Sequence, residues 1–111
     1  MKVVYKIVPA ALWHASAPSG SFAGSPVDVR DGFIHFSTAA QTRETAAKHF
    51  AGVSDLLFVA VSTEGLDLRW EPSRGGDLFP HLYSPLPLTA VRSVSPLPLS
   101  ADGVHMFPPL D

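Results

Sequence analysis

Cysteine is absent from all 111 residues, which excludes a disulfide framework, thiolate zinc sites and cysteine nucleophiles together. Charge of one sign is scarce as well. The 8 Lys+Arg stand against 10 Asp+Glu, a formal net charge of -2, and no run of like charge appears. The basic stripe of a general nucleic-acid binder is therefore missing. No stretch approaches the roughly 20 apolar residues of a membrane-spanning helix. Glutamate is limited to Glu44, Glu64 and Glu71.

What the chain does have is apolar content, 46% of its residues. At this length that suits one domain spanning 1–111, with a single core. The opening Lys2, Lys6, the apolar run from Ile7 to Trp13 and the Ala15-Ser16-Ala17 triplet imitate a secretory signal. Lys6 and Pro9 interrupt that run, and cleavage would remove a strand-like segment, so a cytoplasmic protein without a membrane partner is expected.

Lys2 to Val8 is β-branched and aromatic and reads as a strand, with Pro9 opening a short helix over 10–15. Ser16 to Asp31, crowded with Gly, Pro, Ser and Asp, reads as a long surface loop. Gly32 to Ser37 is the second strand. Thr38 and Gln41 make a T-x-x-Q capping box for the main helix, which runs to about Phe50, carries Glu44 and Lys48 as an exposed i,i+4 pair, and stops at Gly52. The nearly all-apolar Leu56 to Ser62 suits a central strand covered on both faces. Leu66 to Trp70, Leu78 to Tyr83 and Thr89 to Val94 read as later short strands. Ser84-Pro-Leu-Pro-Leu88 recurs as Ser95-Pro-Leu-Pro-Leu99, which reads as two similar corners flanking one edge strand. The class is α+β.

Side-chain alternation locates the candidate chemistry. In Gly32 to Ser37, Phe33, His35 and Ser37 share one face and Ile34 and Phe36 the other. The same parity groups Phe79, His81 and Tyr83 against Leu82. Two strands then each offer an imidazole and a hydroxyl, and they line one groove if they are neighbours. Between them, Arg69 to Asp77 supplies Glu71, Arg74 and the Gly75 and Gly76 amides, groups suited to an anion. The plainer alternatives remain open at this point: satisfied structural histidines, a core Tyr83, and a surface turn with Arg74 paired to Glu71 or Asp77. His14, His35, His49, His81 and His105 show no HExxH or i,i+4 spacing, so no metal site is expected. A G-x-S-x-G nucleophile elbow is missing too.

The strings Asp31-Gly-Phe-Ile-His-Phe-Ser-Thr38, Trp70-Glu-Pro-Ser-Arg-Gly-Gly76 and Phe79-Pro-His-Leu-Tyr83 resemble the small bacterial family known as domain of unknown function 952. The resemblance extends to Tyr5-Lys6-Ile7 and to Gly24-Ser25. It implies a small ADP-ribosyltransferase-like split sheet of short strands with one main helix after the second strand, distantly similar in fold to ADP-ribosyltransferases and RNA 2'-phosphotransferases. It also implies NAD or a related ribonucleotide as substrate rather than as a permanently bound cofactor. His35-Phe-Ser37 is similar in spacing to the His-Gly-Ser of that superfamily, with Phe36 replacing the glycine. On this reading His35, Glu71 and His81 are the catalytic candidates, and Ser25, Ser37, Trp70, Arg74 and Tyr83 bind the ligand. In the phosphotransferase branch Arg74, His81 and His35 would serve a phosphate. The rival expectations are a non-catalytic module binding a small ligand or peptide in the same groove, and a structural domain. The oligomeric state is open.

Overall fold

The apolar Leu56-to-Ser62 segment pairs on both edges, which is why it carries almost no polar side chain. In the computed structural model, which describes residues 3–73 and 76–109, this strand β4 (Leu56–Ser62) lies between β1 (Val3–Pro9) and β8 (Val91–Pro96), both antiparallel to it. Alternation sends Val4, Val8, Val59 and Val61 to one face, where they pack with Phe22, Ile34, Phe36, Leu82 and Leu86. Tyr5, Ile7 and Phe58 go to the other, against Ala46, Leu56 and Leu97. Lys6 has the parity of Val4 and Val8, and so enters the first cluster's side of the sheet.

A second sheet has the order β3 (Ile34–His35), β6 (Leu78–Leu82), β5 (Leu68–Pro72), all antiparallel. The two sheets meet where Tyr5 and Ser37 exchange backbone hydrogen bonds of 2.8 Å in both directions. The third sheet is a two-residue pairing of β2 (Ser21–Phe22) with β7 (Leu86–Pro87). The architecture is thus mixed α and β, with three small antiparallel sheets and three short α-helices among the described residues: α1 (Ala10–Ser16), α2 (Pro26–Asp31) and α3 (Thr42–His49).

The Thr38–Gln41 capping box forms, but its first turn is a 3-10 helix, Ala39–Gln41, before α3 begins. The expected loop over 16–31 is instead built: it holds a 3-10 turn at Ala17–Ser19, β2 and α2. The short β2 makes the helix-bearing strand the third, so the main helix follows β3 rather than the second strand. The missed helix had a local signal, because Ser25 caps it, Pro26 takes its first position and Asp28 completes a second capping box. The proline echo is two corners about the edge strand β8, and each copy buries its middle leucine, Leu86 and Leu97. No helix among the described residues is long and apolar enough to cross a membrane.

Candidate functional site

β3 and β6 are neighbours in register, and His35 faces His81 directly across the pair. Their ring centroids are 5.4 Å apart, edge to face. Ile34, Phe36 and Leu82 are buried on the opposite face, as alternation requires. Phe33 completes an aromatic cluster. Its ring stacks on His81 at 4.1 Å, meets His35 at 4.6 Å and contacts Tyr83 at 5.1 Å. His81 is consequently enclosed, with its side chain only 5% exposed, while that of His35 is 33% exposed.

Each imidazole is oriented by a carboxylate at Nδ1. His35 Nδ1 lies 2.6 Å from Asp28 Oδ1. His81 Nδ1 lies 2.8 Å from Glu71 Oε1, which also accepts the Tyr83 hydroxyl at 2.7 Å. Arg69, opposite His81 in the β5–β6 register, sets its guanidinium 5.5 Å from the centre of the Tyr83 ring. The hydrogen bonds from Tyr83 and His81 hold the Glu71 carboxyl below its usual range, and the bond to Glu71 pushes the Tyr83 phenol up.

Asp28 is the buried centre of the site. Its carboxylate accepts the Ser25 backbone N–H at 2.8 Å, the His35 backbone N–H at 3.2 Å and the Lys6 ammonium at 3.1 Å, besides the His35 ring. Burial works against its ionisation. The bonds from His35, Ser25 and Lys6 and the Lys6 charge outweigh that cost and hold the carboxyl well below the ordinary range. Lys6 also donates to the His35 carbonyl at 3.0 Å. Burial pushes its ammonium down, opposed by the charge of Asp28. The outer nitrogen of His35, Nε2, lies 3.1 Å from Asp31 Oδ2. A cavity of about 220 Å3 opens beside Asp28, Phe33 and Tyr83.

His35, Glu71, His81 and Tyr83 therefore converge, and Ser25, Ser37 and Trp70 do not join them. The Ser37 hydroxyl is paired with Thr45 at 3.1 Å, because the chain turns to bridge β1 at that point and brings Ser37 under α3. Ser25 is occupied as the cap of α2 and reaches the site only by aligning Asp28. Trp70 alternates with Glu71 along β5 and lines a separate cavity with Thr63, Leu66 and Leu68. Arg74 and Gly75 lie outside the described residues. The Gly76 N–H is already donated to the Ser73 carbonyl at 2.8 Å, closing the hairpin tip rather than offering itself to an anion. Among the described residues no group of three or more His, Asp or Glu side chains is placed to hold a metal ion. His105 bonds the Val53 carbonyl through Nε2 at 2.9 Å, remote in role from the pair.

Sequence reasoning passed over Lys6, Asp28, Asp31, Phe33 and Arg69 as members of the site. Two of them were signalled: Lys6 by its core-facing parity between two valines, and Asp28 by the S-x-x-D pattern at Ser25.

The family model described as "Protein of unknown function (DUF952)" matches residues 7–94, a span that includes every member of the site except Lys6, which lies one residue before it. A crystal structure of protein CC0527 from Caulobacter crescentus is 50% identical, with 94% of this chain and 93% of that one covered and a TM-score of 0.88. The solution structure of CC0527 is 51% identical over 92% of this chain and 90% of that one, with a TM-score of 0.82. Among curated proteins nothing matches.

Proposed function

This chain belongs to the DUF952 family, and on that premise we propose that it is an ADP-ribosyltransferase-like domain. The proposed ligand is NAD or a related ribonucleotide, taken up at the His35–His81 face for reaction at the nicotinamide ribose. The reading rests chiefly on the two imidazoles 5.4 Å apart, each turned by a carboxylate at Nδ1. That arrangement supplies aligned polar groups for a ribose and its phosphates, with Tyr83 and Phe33 as flat surfaces for a heterocycle in the adjoining cavity. Glu71, kept anionic by its two hydrogen bonds, suits stabilisation of the oxocarbenium-like state formed when the glycosidic bond breaks. In this proposal the three antiparallel sheets correspond to the split sheet of that fold. Ser37 takes no part, since its hydroxyl is used by Thr45.

A second reading, a non-catalytic module for a small polar ligand, is favoured by one observation: Phe36 is buried at 2% exposure where the superfamily's glycine would let a ligand approach the backbone. One experiment separates the two. Calorimetry with NAD and ADP-ribose should show binding, and chromatography of the NAD mixture should show released nicotinamide. His35→Ala should abolish both, and Glu71→Gln should abolish release. A module that only binds would lose affinity with His35→Ala, keep it with Glu71→Gln and release nothing. Absence of heat with either compound at millimolar concentration would overturn the enzymatic reading.

A further inference from the structure

His35 has one permanent and one provisional partner. At Nδ1 it meets Asp28, whose side chain is fully enclosed and tied by four donors. At Nε2 it meets Asp31, a different kind of carboxylate. Asp31 ends α2, is 32% exposed, and is otherwise held by Arg30, itself 73% exposed. Nothing enclosed anchors it. Nε2 stands 3.1 Å from a carboxylate oxygen, so a ligand that displaces Asp31 best presents an anionic acceptor in its place.

A second imidazole stands at the same place. His81 is enclosed to 5% exposure, and its Nδ1 is taken by Glu71, yet its Nε2 has no partner among the described residues. Buried polar atoms without partners mark either a cost or a waiting ligand. With the two rings 5.4 Å apart, one ligand can meet both, a phosphate oxygen at His35 and a hydroxyl of the same ligand donated to His81 Nε2, whose ring gives its Nδ1 proton to Glu71, whereas Asp31 engages His35 alone. Arg69 and Arg30, each paired at the site's rim, add positive charge at a distance.

We propose that the outer nitrogen of His35 is the donor for a phosphate group of the ligand and that Asp31 is a displaceable placeholder on it, competing with that phosphate in the free protein. The inference rests on the ribonucleotide reading above for the identity of the ligand, and names which part of it the histidine meets. Asp31 then tunes affinity from outside: a carboxylate that must leave before a phosphate can enter weakens every phosphate-bearing ligand and leaves an uncharged one unaffected.

The test compares wild-type protein with Asp31→Ala and Asp31→Asn, and with Asp67→Ala as an exposed charge removed elsewhere. ADP-ribose, inorganic phosphate, acetate and adenosine are titrated while the His35 ring nitrogens are followed by 15N NMR. Asp31→Ala should bind ADP-ribose and phosphate about 3- to 10-fold more tightly, on the order of the loss of one partly screened charge contact. Asp31→Asn should fall between it and wild type, while acetate gains by a similar factor from a weaker starting affinity and adenosine gains nothing. In each case the Nε2 signal of His35 should be the one that moves. Equal or weaker binding of ADP-ribose by Asp31→Ala overturns the inference while leaving the ribonucleotide reading intact. An equal gain with Asp67→Ala also overturns it, as general charge would then be the cause. Tightened phosphate binding without any ADP-ribose binding supports the placeholder and removes the ribonucleotide reading. Failure of both ligands with all variants removes both.

Discussion

Lys6 and Asp28, 22 positions apart in the chain, meet at 3.1 Å with side chains 7% and 0% exposed. This enclosed ion pair, tied on one side to the His35 carbonyl and on the other to its ring, sets where His35 points. Breaking one partner strands the other charge, so Lys6→Met or Asp28→Asn should each cost about 3–5 kcal/mol of stability. The double variant should cost clearly less than their sum, because neither charge is then left alone. Urea denaturation measures all three; strict additivity would contradict the coupling.

Acid should reach the same pair. The Asp28 carboxyl is held below its ordinary value in the folded protein, so its contribution to stability is complete above the unfolded pKa of about 4 and is lost as pH falls through lower values. Asp31 and Glu71 are depressed as well and act in the same direction from exposed positions. Thermal melts between neutral pH and strong acid should show stability falling below about pH 4. Asp28→Asn should flatten that fall more than Asp31→Asn does.

Tyr83 should titrate above an ordinary phenol, since ionising it would place a second negative charge against Glu71 at 2.7 Å. Glu71→Gln should bring the midpoint back toward the usual value of about 10. Ultraviolet titration in a Tyr5→Phe background isolates this phenol, as Tyr5 is the only other tyrosine. An unchanged midpoint would mean that the carboxylate does not hold the hydroxyl.

Gly24 should be nearly irreplaceable. Its φ is +114°, and an added Cβ would stand 2.7 Å from the Asp28 Cβ, an atom fixed to the helix backbone. Gly24→Ala should therefore cost on the order of 1–3 kcal/mol and displace α2, loosening the His35–Asp28 contact. Gly20→Ala is the control. Its φ is also positive, at +78°, but nothing lies within 4 Å of the new atom, so only the smaller backbone cost of about 1 kcal/mol applies.

Much of the site's facing was legible before any coordinates. Alternation alone placed His35 with Phe33, and His81 with Tyr83, against the buried Ile34, Phe36 and Leu82. It failed at Ser37, where two hydrogen bonds to Tyr5 carry the chain from one sheet to the next and the hydroxyl goes to Thr45. At Trp70, a ligand-binding candidate by the family resemblance, alternation would have given the right answer, because adjacent strand residues point to opposite faces and Trp70 turns away from Glu71. Asp28 escaped notice because a Gly-, Pro- and Ser-rich stretch suggests a loop, and its capping box was outweighed by that composition.

Local chemistry decided what neighbouring residues can decide: the capping boxes, the apolar central strand β4 and the face each side chain takes on its strand, since these depend on sterics and hydrogen bonds within a few positions. The family, too, was written in the chain itself. Packing decided the rest. That β3 lies beside β6 in the register His35 to His81, that Lys6 meets Asp28, and that Asp31 rather than solvent holds the outer nitrogen of His35 all depend on long-range strand pairing and on the enclosure of charge. Those energies are set by the surroundings of a residue and not by its neighbours in sequence.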